Sequence, residues 1–99
     1  MDIIQELYGI ILGRREKSVQ GSYTSYLFEQ GEDKILKKVG EEAAEVIIAA
    51  KNGCGAALTG EVADLTYHLL VLLAWHGISP SDVLAELAAR RNENPGDRA

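Results

Sequence analysis

Apolar residues recur along this chain at helical spacing, and no window alternates as a half-buried strand would. Ile3, Ile4, Leu7 and Ile11 share one face. Asp2 is placed to cap them and Gly13 to stop them, so the spacing predicts a first helix over 2–12. Arg14 to Gly21 is polar and reads as a loop. A short second helix is expected over Ser25–Gln30, with Thr24 as cap and Gly31 as stop. The third runs from about Glu32 to Lys51 and ends at Asn52, Gly53 and Gly55. A fourth is expected after Thr59, reaching about His76, with Gly77 ending it. Ser79-Pro80 opens a fifth, with Ser79 as cap, Pro80 as first helical residue and Asp82 near a capping-box position. It carries Val83, Leu84 and Leu87 and ends near Arg91. The expected fold is all-α with about five helices: one domain over 1–91, then a flexible C-terminal tail over 92–99.

Charge is concentrated on two of these helices. At about 100° per residue, Ile35, Val39, Ala43, Val46 and Ala50 form one stripe of the third helix, with Leu36 and Ile47 at its edge. Lys34, Lys38, Glu41, Glu42 and Glu45 gather on the other side, and Glu42 lies at the border, where a bundle half-buries it. A solvated face with a Lys38–Glu42 pair is the plain reading. Yet Glu41–Glu45 and Glu42–Glu45 set like charges at i,i+4 and i,i+3, which destabilises an exposed helix. The fourth helix is apolar around almost its whole circumference, the mark of a buried helix. Even so, Glu61, Asp64 and His68 share one of its faces.

Buried carboxylates need partners or a cation. A Gly-containing loop makes the two helices antiparallel neighbours, so Glu42-x-x-Glu45 faces Glu61-x-x-Asp64. An all-oxygen donor set suits Mg²⁺ or Mn²⁺ rather than Zn²⁺. Carboxylate-bound Mg²⁺ is a usual partner of substrate phosphates, a free carboxylate can take a proton from water, and Lys34 and Lys38 can hold phosphate oxygens. The site suits attack by water on a polyphosphate; spacing does not say at which phosphorus. There is no phosphate-binding Gly-rich loop ending in Lys-Ser/Thr, no HExxH zinc helix, no paired Glu-x-x-His and no serine elbow.

Composition narrows the partners. Asp+Glu 15 against Lys+Arg 10 gives a net charge of −5, which argues against broad nucleic-acid binding. Cys54 is the only cysteine, so an internal disulfide and a Cys-based zinc site are excluded, and a reducing cytoplasm is expected. The N-terminus has no basic n-region of a signal peptide, and the longest apolar run, Leu69 to Trp75, is too short to span a bilayer. No membrane partner is expected. A fourth helix this apolar is too much for a short chain to cover alone, which favours a homodimer.

The acidic pattern resembles that of the all-α, MazG-like nucleotide pyrophosphohydrolases. The surrounding text, SYTSYLFEQGEDKILKKVGEEAAEVIIAAKN (Ser22 to Asn52) and EVADLTYHLLVLL (Glu61 to Leu73), closely resembles the phosphoribosyl-ATP pyrophosphohydrolase family, over roughly Ile4 to Arg91. The resemblance implies hydrolysis of 1-(5-phosphoribosyl)-ATP to 1-(5-phosphoribosyl)-AMP and pyrophosphate, the second step of histidine biosynthesis. It also implies Mg²⁺, a cytoplasmic location and a homodimeric helical bundle. Carried over, Glu42, Glu45, Glu61 and Asp64 become metal ligands, and Glu41 an acidic neighbour able to orient or deprotonate water. Lys34 and Lys38 become phosphate contacts, while Ser22, Tyr23 and Thr24 line the substrate entrance. The catalytic group is thus Glu41, Glu42, Glu45 and Lys38. Some relatives are fused to phosphoribosyl-AMP cyclohydrolase, which implies functional coupling to that enzyme; this chain resembles the free-standing form.

Other residues have ordinary readings. His68 is expected as a hydrogen-bonded core residue, His76 as a helix C-terminal residue favoured by the dipole, and Trp75 as core or dimer interface. Tyr23 and Tyr26 either stack on adenine or pack the short helix. Arg14 and Arg15 meet a ribose phosphate or are solvated. Two other functions fit the same residues: a house-cleaning hydrolase of ordinary or damaged deoxynucleoside triphosphates, and a non-catalytic dimerisation module with a structural metal.

Overall fold

The computed structural model describes residues 2–93, and these form five α-helices. Helix α1 spans Ile3–Glu16, α2 Tyr23–Gln30, α3 Glu32–Lys51, α4 Gly55–Trp75 and α5 Pro80–Glu93. Among the described residues there is no strand, and the all-α expectation holds. Of the tail expected over 92–99, the first two residues extend α5 to Glu93, and the remainder lies outside the described residues.

Caps agree with the sequence at two helix starts. Asp2 accepts the amide of Gln5 at 2.9 Å to open α1. Asp82 takes the Ser79 amide at 3.4 Å while the Ser79 hydroxyl takes the Ser81 amide at 3.1 Å, opening α5. The third helix has the expected bounds.

Three boundaries differ. Gly13 does not stop α1, which continues through Arg14, Arg15 and Glu16. A helical glycine costs only about 1 kcal/mol, and the Arg15 guanidinium is held by the Ala74 carbonyl at 2.6 Å. Ser22, not Thr24, caps α2, accepting the Ser25 amide at 3.1 Å. Helix α4 starts at Gly55, well before Thr59, whose hydroxyl donates to the Gly55 carbonyl at 2.9 Å inside the helix. Ala56 and Ala57 favour helix strongly enough to carry the two flanking glycines.

The core is Ile11, Leu27, Ile35, Leu70, Val71 and Ala74, drawn from the first four helices. The Tyr8 hydroxyl donates to the Ile78 carbonyl at 2.5 Å and ties α1 to the turn after α4. That turn is a Schellman motif: Ile78 N–H meets Leu73 O at 2.9 Å and Gly77 N–H meets Ala74 O at 3.1 Å. Gly77 sits at φ 69°, in the left-handed region where a side chain is strained.

Helices α3 and α4 are joined by only Asn52–Cys54 and run antiparallel as a tight hairpin. The buried line of α3 passes through Ile35, Glu42 and Ala49, one heptad apart, so it is rotated from the stripe expected through Val39, Ala43 and Ala50. The opposite side carries Ile47 and Ile48, 65% and 58% exposed. On α4, Val62, Leu69 and Trp75 are exposed too, so the expected burial of this helix is incomplete within one chain. By length and composition alone, α4 is apolar enough to cross a membrane. The uninterrupted run in the sequence understates this. Against a lipid setting, Glu61, Asp64 and His68 interrupt one face.

Candidate metal and nucleotide site

The hairpin fixes the register of the acidic residues. Glu45 lies six residues before Lys51, the last of α3, and Glu61 six residues after Gly55, the first of α4. With 1.5 Å of rise per residue the two stand about level, roughly 9 Å from the turn. Glu42 lies one turn deeper. Carboxylate oxygens of Glu42, Glu45 and Glu61 come within 4.8 Å of one another. Glu42 is buried, 7% exposed, as its border position predicted. Glu61 is half-buried and Glu45 exposed. Asp64, the fourth expected ligand, is exposed, and its carboxylate is not in this group; its backbone carbonyl instead accepts from His68.

Two buried oxygens, Glu42 Oε2 and Glu61 Oε2, have no hydrogen-bond partner. Such orphans are costly. Lys38 gives partial relief: its ammonium is 3.5 Å from Glu42 and 3.5 Å from Glu41. Burial pushes the Glu42 carboxyl above its ordinary value, and the Glu45 carboxylate adds to the rise by hydrogen bond and charge; Lys38 opposes it. Around Lys38, desolvation works against the charge, but Tyr23, Glu41 and Glu42 outweigh it and raise its pKa. Three converging carboxylates with two unpartnered oxygens and one flanking lysine fit a hard divalent cation bound by oxygen.

The first turn of α2 lies beside this centre. The Tyr23 hydroxyl is 2.9 Å from His68 Nε2, and the Thr24 hydroxyl meets the Tyr67 hydroxyl. Ser22 is spent on capping. Tyr23 packs against the rings of Tyr26 and Tyr67, with centroids 6.2 and 6.1 Å away and planes tilted by 27° and 30°. Lys34 lies 5.8 Å above the Tyr26 ring, a cation–π contact. Burial raises the Tyr23 phenol pKa; Lys38 opposes this, and Tyr67, Glu42 and Tyr26 reinforce it. Tyr23 also lines an open depression of about 740 Å³, with Ser18, Ser22, Tyr26 and Glu29 among others. The expected residues Ser22, Tyr23, Thr24, Lys34, Lys38, Glu41, Glu42, Glu45 and Glu61 are thus spread along α3, the start of α2 and the facing turns of α4.

His68 is a hydrogen-bonded buried residue, as expected. His76 contacts Glu32, which a C-terminal dipole role did not anticipate. Trp75 stacks on Phe28 at 6.4 Å and 8°. Sequence reasoning missed the pairing of Thr24 with Tyr67 and the wall formed by 18–21. The adjacent Tyr67-His68 pair, one turn after Asp64, was the available signal for the first; the second had none.

The family described as phosphoribosyl-ATP pyrophosphohydrolase matches residues 4–91. A phosphoribosyl-ATP pyrophosphatase of Pelotomaculum thermopropionicum is 77% identical over 92 residues, covering 93% of this chain and 94% of that protein. One from Listeria welshimeri is 58% identical over 91 residues, 92% and 87% of the two chains. The histidine biosynthesis bifunctional protein HisIE of Oceanobacillus iheyensis is 50% identical over 98 residues, 99% of this chain but 46% of that protein.

Proposed function

The chain belongs to the phosphoribosyl-ATP pyrophosphohydrolase family, and on that footing we propose that it hydrolyses 1-(5-phosphoribosyl)-ATP to 1-(5-phosphoribosyl)-AMP and pyrophosphate with Mg²⁺ as cofactor. The observation that carries the cation is the trio Glu42, Glu45 and Glu61 with its two orphaned oxygens. Bound there, Mg²⁺ (or Mn²⁺) would offset the like charges, draw electron density from phosphoryl oxygens and lower the pKa of a ligated water. Asp64 completes the set if its exposed carboxylate turns inward by a rotamer change.

The chain's own groups then divide the work. Lys38, on the same face and 3.5 Å from both Glu41 and Glu42, receives phosphate oxygens as a point charge, and Lys34 one turn earlier does the same. Glu41 is exposed and accepts the proton of the attacking water. Water adds at the α-phosphorus, the α–β bridging bond breaks, and pyrophosphate leaves with its negative charge facing the lysines. Ser22, Tyr23 and Thr24 border the entrance. The exposed apolar sides of α3 and α4 are covered in a homodimer. Fusion within HisIE-type relatives supports functional coupling to phosphoribosyl-AMP cyclohydrolase, the consumer of the product.

The test is pyrophosphate release by the purified chain, with and without Mg²⁺, from phosphoribosyl-ATP and from ordinary nucleoside triphosphates. Mg²⁺-dependent release from phosphoribosyl-ATP alone is expected. Release only from ordinary triphosphates would move the chain to house-cleaning chemistry, and release from none would leave a binding module.

A further inference from the structure

His68 is buried, 5% exposed, between the acidic face of α4 and the first turn of α2. Its Nδ1 lies 2.7 Å from the Asp64 carbonyl. A carbonyl only accepts, so Nδ1 carries a proton. In the neutral ring Nε2 is then a bare acceptor, and the Tyr23 hydroxyl 2.9 Å away donates to it. The rings of Tyr23 and Tyr67 both meet the imidazole nearly edge-on, at 5.8 Å and 79° and at 4.9 Å and 84°. With the Thr24–Tyr67 contact, two neighbouring hydroxyls of α2 are gripped by two neighbouring residues of α4.

This arrangement restricts what Tyr23 can do. Its phenol proton is spent on His68, so a tethered Tyr23 does not donate to a phosphate. Tyr23 is 45% exposed and lines the 740 Å³ depression, while its hydroxyl reaches His68 on the acidic face of α4. A nucleotide with its phosphates at Lys34 and Lys38 would set its nucleoside part against this ring, where stacking tolerates any base. We propose that His68 is a positioning residue: through its hydrogen bond it holds the Tyr23 ring as the wall that the nucleoside part of the substrate rests against. The substrate class rests on the function proposed above; the tether does not.

Two measurements on the full chain decide it. Side-chain ¹⁵N NMR reads the tether without substrate, and His76→Gln identifies the His68 signals, because the chain has two histidines. The expected state is Nδ1 protonated and Nε2 bare, with Tyr23→Phe shifting Nε2. A protonated Nε2, or one indifferent to Tyr23→Phe, would overturn the proposal. Kinetics read the role. Tyr23→Phe and His68→Ala should each raise KM about fivefold, the scale of one neutral hydrogen bond, with a smaller effect on kcat. The double variant should be no worse than either, and the Mg²⁺ requirement unchanged. His68→Gln, whose amide oxygen can still accept from the phenol, should recover most of the KM. Additive losses, losses confined to kcat, or a Gln variant as poor as the Ala variant would also overturn it. If wild type ignores phosphoribosyl-ATP but turns over another triphosphate, the proposed reaction falls and the same kinetic comparison proceeds on that substrate. Turnover of no nucleotide would sink both.

Discussion

At the scale of single residues, Glu42 concentrates the energetic conflict of the molecule. Its carboxylate is buried, one oxygen is unpartnered, and Glu45 adds like charge. The raised pKa means that the folded state holds the Glu42 proton more tightly than the unfolded chain does. Stability from this group is therefore fully present below its ordinary value of 4.5 and lost as pH rises through the raised one. In metal-free buffer near pH 7, Glu42→Gln should melt at a higher temperature than wild type, and the gap should close as the pH falls toward 4.5. Adding Mg²⁺ should stabilise wild type and do little for the variant. A variant less stable than wild type without metal would show that Lys38 already compensates the charge. The same residues rank the ligands. Glu61→Gln should abolish most Mg²⁺-dependent turnover, because Glu61 Oε2 is buried within the trio. Asp64→Asn should lower it less, since its carboxylate starts outside the group; equal losses in kcat and Mg²⁺ affinity would place Asp64 fully among the ligands.

At the scale of helices and turns, short connections do most of the positioning. The three-residue link between α3 and α4 sets Glu45 level with Glu61, and a one-residue slip of either helix would turn its carboxylate about 100° away. The far end of α4 is pinned by Gly77, by Arg15 on the Ala74 carbonyl and by Tyr8 on the Ile78 carbonyl. Gly77→Ala forces a side chain into the left-handed region at φ 69°. It should cost about 1–2 kcal/mol, with a Tm lower by roughly 4–8 °C per kcal/mol in a chain this size. Unchanged melting would mean that the Schellman turn contributes little.

At the scale of the whole molecule, one chain leaves its site helices open on one side. The radius of gyration is 15.2 Å, above the ~13 Å of a compact chain of this length. Ile47, Ile48, Val62 and Leu69, on the helices that carry the carboxylates, are all exposed. We read this as the face that a second copy covers. Light scattering should give twice the chain mass, and Ile48→Glu should give a monomer with a lower Tm. A monomeric wild type with full activity would remove the dimer from the account.

The sequence by itself determined the helices with strong periodicity and clear stops, α3 above all, and the pairing of two acidic motifs across a helical hairpin. Local physics suffices there: 3.6-residue spacing, caps and the cost of burying carboxylates without partners. It also marked Glu42 as a border residue, because helix angle alone places it beside the apolar stripe. Tertiary structure decided the rest. Gly13 and Gly55 look like stops, yet Arg15 finds a carbonyl partner on α4, and Ala56 and Ala57 carry the helix through its first turn. The earlier start of α4 shortens the hairpin link and thereby sets which carboxylates meet, so Glu61 joins Glu42 and Glu45 while Asp64 stays outside. The role of His68 was likewise invisible in a lone apolar-helix histidine, because its second partner, Tyr23, lies 45 residues away along the chain. Spacing fixes which residues share a helix face; only packing decides what that face meets.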